Sequence, residues 1–198
     1  MTTIAVQRVS DTKLLMCADR RVTPSENLSM DGYTKIVRVA SGEHIAVAGA
    51  LAAMQAFELY AEENDLDFSS LLATYRTILN FRQDLSVNQL CLTDKHNDAG
   101  DFAAFPLQML IVNNDGIIFS VMNYGEVIGH DKFFALGSGC AYALGALAIG
   151  GSIQQAMQAA ATFDTGTSPE YDTYEIEIES NGGESNYSFD ESDAAAEE

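Results

Sequence analysis

The apolar residues of this chain switch repeatedly between a strand period and a helix period, and the order of those switches limits the fold more than any single motif. Thr3 to Val9 alternates weakly, and Lys13 to Ala18 follows as a second apolar run. Ser10-Asp11-Thr12 between them is turn-forming, so a hairpin is expected to begin with the first residues. Lys35 to Ala40 and His44 to Ala48 predict a second strand pair around Ser41-Gly42-Glu43. From Ala50 the period becomes helical, with Leu51, Met54, Phe57, Leu59 and Tyr60 recurring. Asp67 or Ser69 is expected to open another helix, with Leu71, Leu72, Tyr75, Ile78 and Leu79 on one face. Leu92 to Phe105 is polar and irregular and reads as a loop.

Leu107 to Val112 and Ile117 to Met122 flank Asn113-Asn114-Asp115-Gly116, a strong hairpin signal. Phe133 to Leu136 is a short expected strand leading into Gly137-Ser138-Gly139. Two helices are predicted next, Cys140 to Ile149 and Ile153 to Phe163, the second opened by Ser152 with Gln155 in capping-box register. Cys140, Tyr142, Leu144 and Leu147 are read as core. Tyr171 to Ile178 alternates acids with apolars and reads as a last strand. The order is strands, two helices, strands, two helices, strand. An α+β fold of two sheets packed face to face between two helix layers would bury all of these faces. One domain over residues 2–180 is expected. Residues 181–198 hold Asn, Gly, Ser, Glu, Asp and Ala with little apolar surface to offset ordering entropy, and are expected to be a disordered acidic tail.

With 198 residues, 47% of them hydrophobic, the chain suits one domain with a sizeable core. The apolar stretches Phe133 to Leu136 and Ala141 to Ile149 are too short to span a bilayer. The first residues lack the apolar core of a secretory signal, so a cytoplasmic location is expected. Cys17, Cys91 and Cys140 are odd in number and set in apolar surroundings, which reads as reduced core residues rather than a disulfide framework or metal cluster. Net charge is −19, and no lysine or arginine follows Lys132. Such a polyanion is repelled by nucleic acid and anionic membranes, so neither is an expected partner; most of the acids are read simply as solubility.

The chain has no phosphate-binding glycine loop, no paired metal-ligand histidines and no Gly-x-Ser-x-Gly elbow. His44 sits in an expected strand, while His96 and His130 sit singly beside Asp in expected loops. That disfavours a serine or cysteine nucleophile with a histidine base. The amino terminus remains. Thr2 follows Met1 directly and is small enough for methionine removal. A free N-terminal threonine carries nucleophile and base on one residue, since an α-amine titrates at about 7.7–8.0 and can accept the hydroxyl proton.

Thr2-Thr3-Ile4, Asp19-x-Arg21-x-Thr23, Lys35, Ala48-Gly49, Gly137-Ser138-Gly139 and Asp164 stand in an order and at separations that resemble the proteasome β-type and HslV-like family of N-terminal-nucleophile threonine proteases. The resemblance runs from Thr2 to about Ile178. It implies the family's four-layer α-β-β-α sandwich and a threonine endopeptidase. Thr2 would be the nucleophile. Lys35 would lower the hydroxyl and amine pKa through its nearby positive charge, and Asp19 would hold that lysine charged and oriented. The Gly49 backbone N–H would form the oxyanion hole at a helix start. Ser138 and Asp164 match residues that hydrogen-bond the amine and the base water, and Thr167 stands where the family usually has a serine. Arg21 and Thr23 match positions that brace the site and pair with the substrate backbone. Val22, Tyr33, Val47 and Leu51 match the specificity pocket and would make it apolar.

The sequence also departs from the family. The hairpin Gln7 to Leu14 is one residue longer than usual, Ala50-Leu51 replaces a common second glycine, and Ser168-Pro169 replaces a small-residue pair. The resemblance further implies unfolded polypeptide as substrate, a homo-oligomeric double ring, an ATP-dependent unfoldase as partner, and no required metal or organic cofactor. Taken singly, Lys35 reads as a surface strand lysine, Asp19 and Asp164 as turn or capping residues, and the glycines as ordinary helix starts. An inactive ring subunit of the same fold and an N-terminal-nucleophile hydrolase of small amides remain the rival functions.

Overall fold

The computed structural model describes residues 2–25, 28–87 and 107–178. The expected loop Leu92 to Phe105, Cys91, His96 and the expected acidic tail lie outside the described residues. The first hairpin forms as expected, β1 (Thr3–Ser10) against β2 (Lys13–Asp19). Its register shifts between Arg8 and Ser10, a bulge at Val9, which is 47% exposed. A hairpin absent from the sequence prediction follows, β3 (Arg21–Ser25) with β4 (Leu28–Asp31). Then come β5 (Ile36–Arg38), β6 (His44–Gly49), α1 (Leu51–Glu63) and α2 (Leu71–Val87). The second half contributes β7 (Leu107–Val112), β8 (Ile118–Val121), β9 (Val127–His130), β10 (Phe133–Gly137), α3 (Cys140–Ala148), α4 (Ile153–Phe163) and β11 (Tyr171–Glu177).

Two antiparallel sheets result, β10-β1-β2-β11 and β5-β6-β7-β8-β9, with β3-β4 as a separate ribbon. Alternation of side chains along each strand divides the core into three layers. Ile4, Val6, Leu14, Met16, Ala46, Ala48, Leu110 and Val112 fill the space between the sheets. Ala5, Cys17 and Ala135 turn the other way, onto Leu147, Ile153 and Met157 of α3 and α4. Ile45, Val47, Met109 and Ile111 pack against Met54 and Phe57 of α1 and Ile78, Phe81 and Leu85 of α2. The architecture is therefore the expected α-β-β-α sandwich. Ser152 opens α4 with the predicted capping box: its hydroxyl accepts from the Gln155 amide at 3.3 Å, and the Gln155 side chain accepts from the Ser152 amide at 2.8 Å.

Several local expectations are corrected. On α2, Leu72, Tyr75 and Leu79 are exposed, and the buried face is Thr74, Ile78, Phe81 and Leu85. Two apolar stripes compete there, and the one carrying Phe81 wins because that ring meets Phe57 edge-on at 5.2 Å and Tyr60 at 5.2 Å. Ser70, rather than Asp67 or Ser69, caps α2 by accepting from the Ala73 amide at 3.2 Å. Leu59 and Tyr142 are 43% and 44% exposed, so neither is core. His130 ends strand β9 instead of lying in a loop; its Nε2 is 2.8 Å from the Ser120 hydroxyl and its ring stacks on Phe134.

Candidate functional site

The ends of β1, β2, β5 and β10 converge beside Thr2. Asp19, the last residue of β2, is fully buried, and a lone buried carboxylate would be very costly. Its two oxygens are saturated. Oδ1 accepts from the Thr3 amide and from Lys35 Nζ, both at 2.8 Å, and Oδ2 accepts from the Arg21 amide at 2.9 Å and the Ser168 amide at 3.1 Å. Lys35, just before β5, is 2% exposed and fixed through its carbonyl, which accepts from the Val47 amide at 2.9 Å. Its ammonium also donates to the Thr2 hydroxyl at 2.7 Å. Burial pushes the Lys35 ammonium below the ordinary lysine range, against the upward pull of Asp19. The lysine read singly as a surface strand residue is therefore a buried cation between a carboxylate and a hydroxyl.

A second cluster lies on the other side of Thr2. Asp164 is the C-cap that follows α4, and its Oδ2 accepts from the Thr167 hydroxyl at 2.6 Å and the Ser138 hydroxyl at 2.7 Å. Its Oδ1 accepts from the Gly166 amide at 3.1 Å. Burial on its own raises this carboxyl, but the hydrogen bonds from Thr167, Ser138 and Gly166 outweigh it and hold the group below its usual range. Because Thr167 has one hydroxyl proton and gives it to Asp164, Thr3 Oγ1 donates to Thr167 Oγ1 at 2.6 Å. The Thr2 backbone nitrogen donates to Ser138 Oγ at 3.3 Å, and the Ser138 amide donates to the Thr2 carbonyl at 2.8 Å. Gly137 makes that approach feasible: its φ is +92°, and a Cβ there would sit 2.0 Å from the Thr2 carbonyl oxygen. Ser138 is exposed, so the hydroxyl between Thr2 and Asp164 is open to water.

Gly49 ends β6 with φ +140°, one residue before Ala50, where no side chain caps α1. Tyr33, Val47 and Leu51 share one apolar cluster, while Val22 pairs with Met30 in the β3-β4 ribbon. Thr23 lies beside Arg21 in β3. Tyr33 directs its hydroxyl to Glu58 at 3.2 Å, so a carboxylate borders the apolar cluster, which the sequence reading did not anticipate. Thr2, Asp19, Lys35, Ser138, Asp164 and Thr167 thus meet in one network. Sequence reasoning missed Thr3 and Asp31 and treated Ser168 only as a departure. A Thr at the head of a strand carries no local signal, whereas the Asp31–Arg21 pairing becomes legible once β3 and β4 are recognised as a hairpin. Among the described residues no group of three or more His, Cys, Asp or Glu could hold a metal ion, and no helix is long and apolar enough to cross a membrane.

Comparison with known proteins gives this geometry a context. The sequence model of the family described as "Proteasome subunit" matches residues 1–151. Among solved structures, BPH of Thiobacillus denitrificans superposes with a TM-score of 0.79 at 21% identity, covering 91% of this chain and 100% of that one. The same protein in complex with epoxomicin gives 0.76 at 21% identity, covering 90% and 100%. HslV of Trypanosoma brucei gives 0.62 at 21% identity, covering 89% and 99%. No protein with a curated description matches the sequence.

Proposed function

The chain belongs to the proteasome subunit family, and on that premise we propose that it is a threonine-type endopeptidase whose nucleophile is Thr2, freed by removal of Met1. The observation that carries this reading is the buried Lys35 ammonium 2.7 Å from Thr2 Oγ1, itself held by Asp19. A cation there favours the alkoxide character that attack requires, and because Lys35 and Asp19 are both buried their charge interactions are strong. In the proposed reaction Thr2 Oγ1 attacks the scissile carbonyl carbon and its proton passes to the freed α-amine. The Gly49 N–H, at the uncapped start of α1, accommodates the oxyanion. The amine returns the proton to the leaving nitrogen as the peptide bond breaks, leaving an ester on Thr2. Water, activated by the amine with Ser138 and Asp164 alongside, hydrolyses that ester.

The proposed reaction requires no metal or organic cofactor. The substrate is proposed to be unfolded polypeptide, with Val22, Tyr33, Val47 and Leu51 around the residue before the cut and Arg21 and Thr23 along its backbone. The working form is proposed to be a homo-oligomeric double ring in the cytoplasm, served by an ATP-dependent unfoldase. An inactive ring subunit would need no lysine buried against Thr2 Oγ1, and that contact favours the enzyme. The test combines N-terminal mass with assays on casein-like unfolded protein, fluorogenic peptides and small amides. Wild type lacking Met1 should cleave the first two, and Thr2→Ala should assemble but be inactive. Full activity in Thr2→Ala rules the mechanism out, and turnover confined to small amides moves the protein to the rival enzyme class.

A further inference from the structure

Asp31 takes no part in the chemistry above, yet it decides where Arg21 can point. The two face each other in the β3-β4 register, so the backbone already brings them together. Asp31 Oδ1 accepts from Arg21 Nε at 3.0 Å and Oδ2 accepts from Nη2 at 3.2 Å, a forked pairing that fixes the guanidinium plane. Exposed ion pairs usually contribute little, but a two-pronged arginine–carboxylate pair is the exception in geometry. Fixing that plane aims Nη1 at the carbonyls of Thr165 and Thr167, at 3.0 and 3.3 Å. Those carbonyls belong to the turn that carries Asp164 and Thr167. The same turn is held from its other side by Asp19, which accepts from the Ser168 amide at 3.1 Å and the Arg21 amide at 2.9 Å.

We propose that Asp31 is a positioning residue for the reaction: its forked grip on Arg21 clips the 164–168 turn to β3 and so sets where Asp164 and Thr167 stand against Ser138 and Thr2. This rests on the reading of Thr2 as nucleophile. A lysine at position 21 could not reproduce it, because a point charge has no fork to share between a carboxylate and two carbonyls.

Peptide hydrolysis by the assembled protein tests it with Asp31→Asn, Asp31→Glu, Arg21→Gln and the Asp31→Asn/Arg21→Gln double variant. Asp31→Asn should lower kcat on the order of tenfold while KM stays nearly unchanged, because small misplacement of an orienting group costs rate rather than binding. Asp31→Glu, which keeps the charged fork, should recover part of the loss. The double variant should be little slower than Arg21→Gln, since Asp31 acts mainly through that arginine and its own hydrogen bond with Ser168 is the smaller contact with the turn. An unchanged kcat in Asp31→Asn, or losses that simply add in the double variant, overturns the proposal. A Thr2→Ala control run alongside separates the two readings. If that control stays active, amide exchange decides the positioning role alone. Asp31→Asn should then speed exchange at Gly166, Thr167 and Ser168, and unchanged exchange overturns it.

Discussion

Asp19 has an acceptor site for each of its four donors, and each donor comes from a different point of the chain: Thr3, Arg21, Lys35 and Ser168. Asparagine in its place would turn an NH2 toward two of those donors whichever way it faced, and would leave the Lys35 ammonium buried without its counter-charge. Asp19→Asn should therefore destabilise the fold by roughly 3–5 kcal/mol, the usual cost of breaking a buried pair from one side. Urea unfolding of the variant measures this, and a loss below about 1 kcal/mol would mean that the carboxylate is not the anchor described. The residue types at this site were legible in the sequence, but their burial was not. Hydropathy assigns a lone lysine such as Lys35 to solvent, and only its partner sixteen positions earlier explains its place inside. Thr3 is invisible for a related reason: its hydroxyl role depends on Thr167, brought near by the fold and not by any local pattern.

At the scale of elements, the weak alternation of β1 has a physical cause. Ile4 and Val6 face the second sheet while Ala5 faces α3 and α4, so both faces are apolar and differ chiefly in side-chain size. Strands covered on both sides read as continuous apolar runs, and their faces cannot be assigned from period alone. The β3-β4 ribbon was missed because Pro24 within Arg21–Ser25 breaks a strand reading, and short β9 contains Gly129. On α2 the sequence holds two apolar stripes, and the structure buries the one with Phe81, leaving Leu72 72% exposed. Phe81→Ala should cost about 3–5 kcal/mol, whereas Leu72→Ala should stay within about 0.5 kcal/mol. Equal losses from the two substitutions in thermal or urea unfolding would put the helix on its other face.

For the molecule as a whole, the order of layers was legible because periods of 2 and 3.6 distinguish sheet from helix, while sheet neighbours were not. β10 closes against β1 with Thr3 opposite Gly137, a pairing that no local signal announces and that builds the site. The Asp164 cluster ties α4, β10 and the head of β1 together, and it makes stability depend on acid. Its folded carboxyl lies below the unfolded value of about 3.9, so the unfolded chain binds more protons in that window. The contribution is complete above the unfolded value and is lost as pH falls through the folded one. The difference in melting temperature between wild type and Asp164→Asn should therefore narrow below about pH 4, and a gap independent of pH would contradict the assignment. Whether Thr2 is a freed N-terminal nucleophile is tested most directly by intact mass after exposure of the protein to epoxomicin, the compound held by one structural neighbour. One adduct per chain is expected, on a species lacking Met1, mapping to the peptide that begins at Thr2 and absent in Thr2→Ala. A chain that retains Met1 and takes up no adduct, or an adduct that persists in Thr2→Ala, would contradict it.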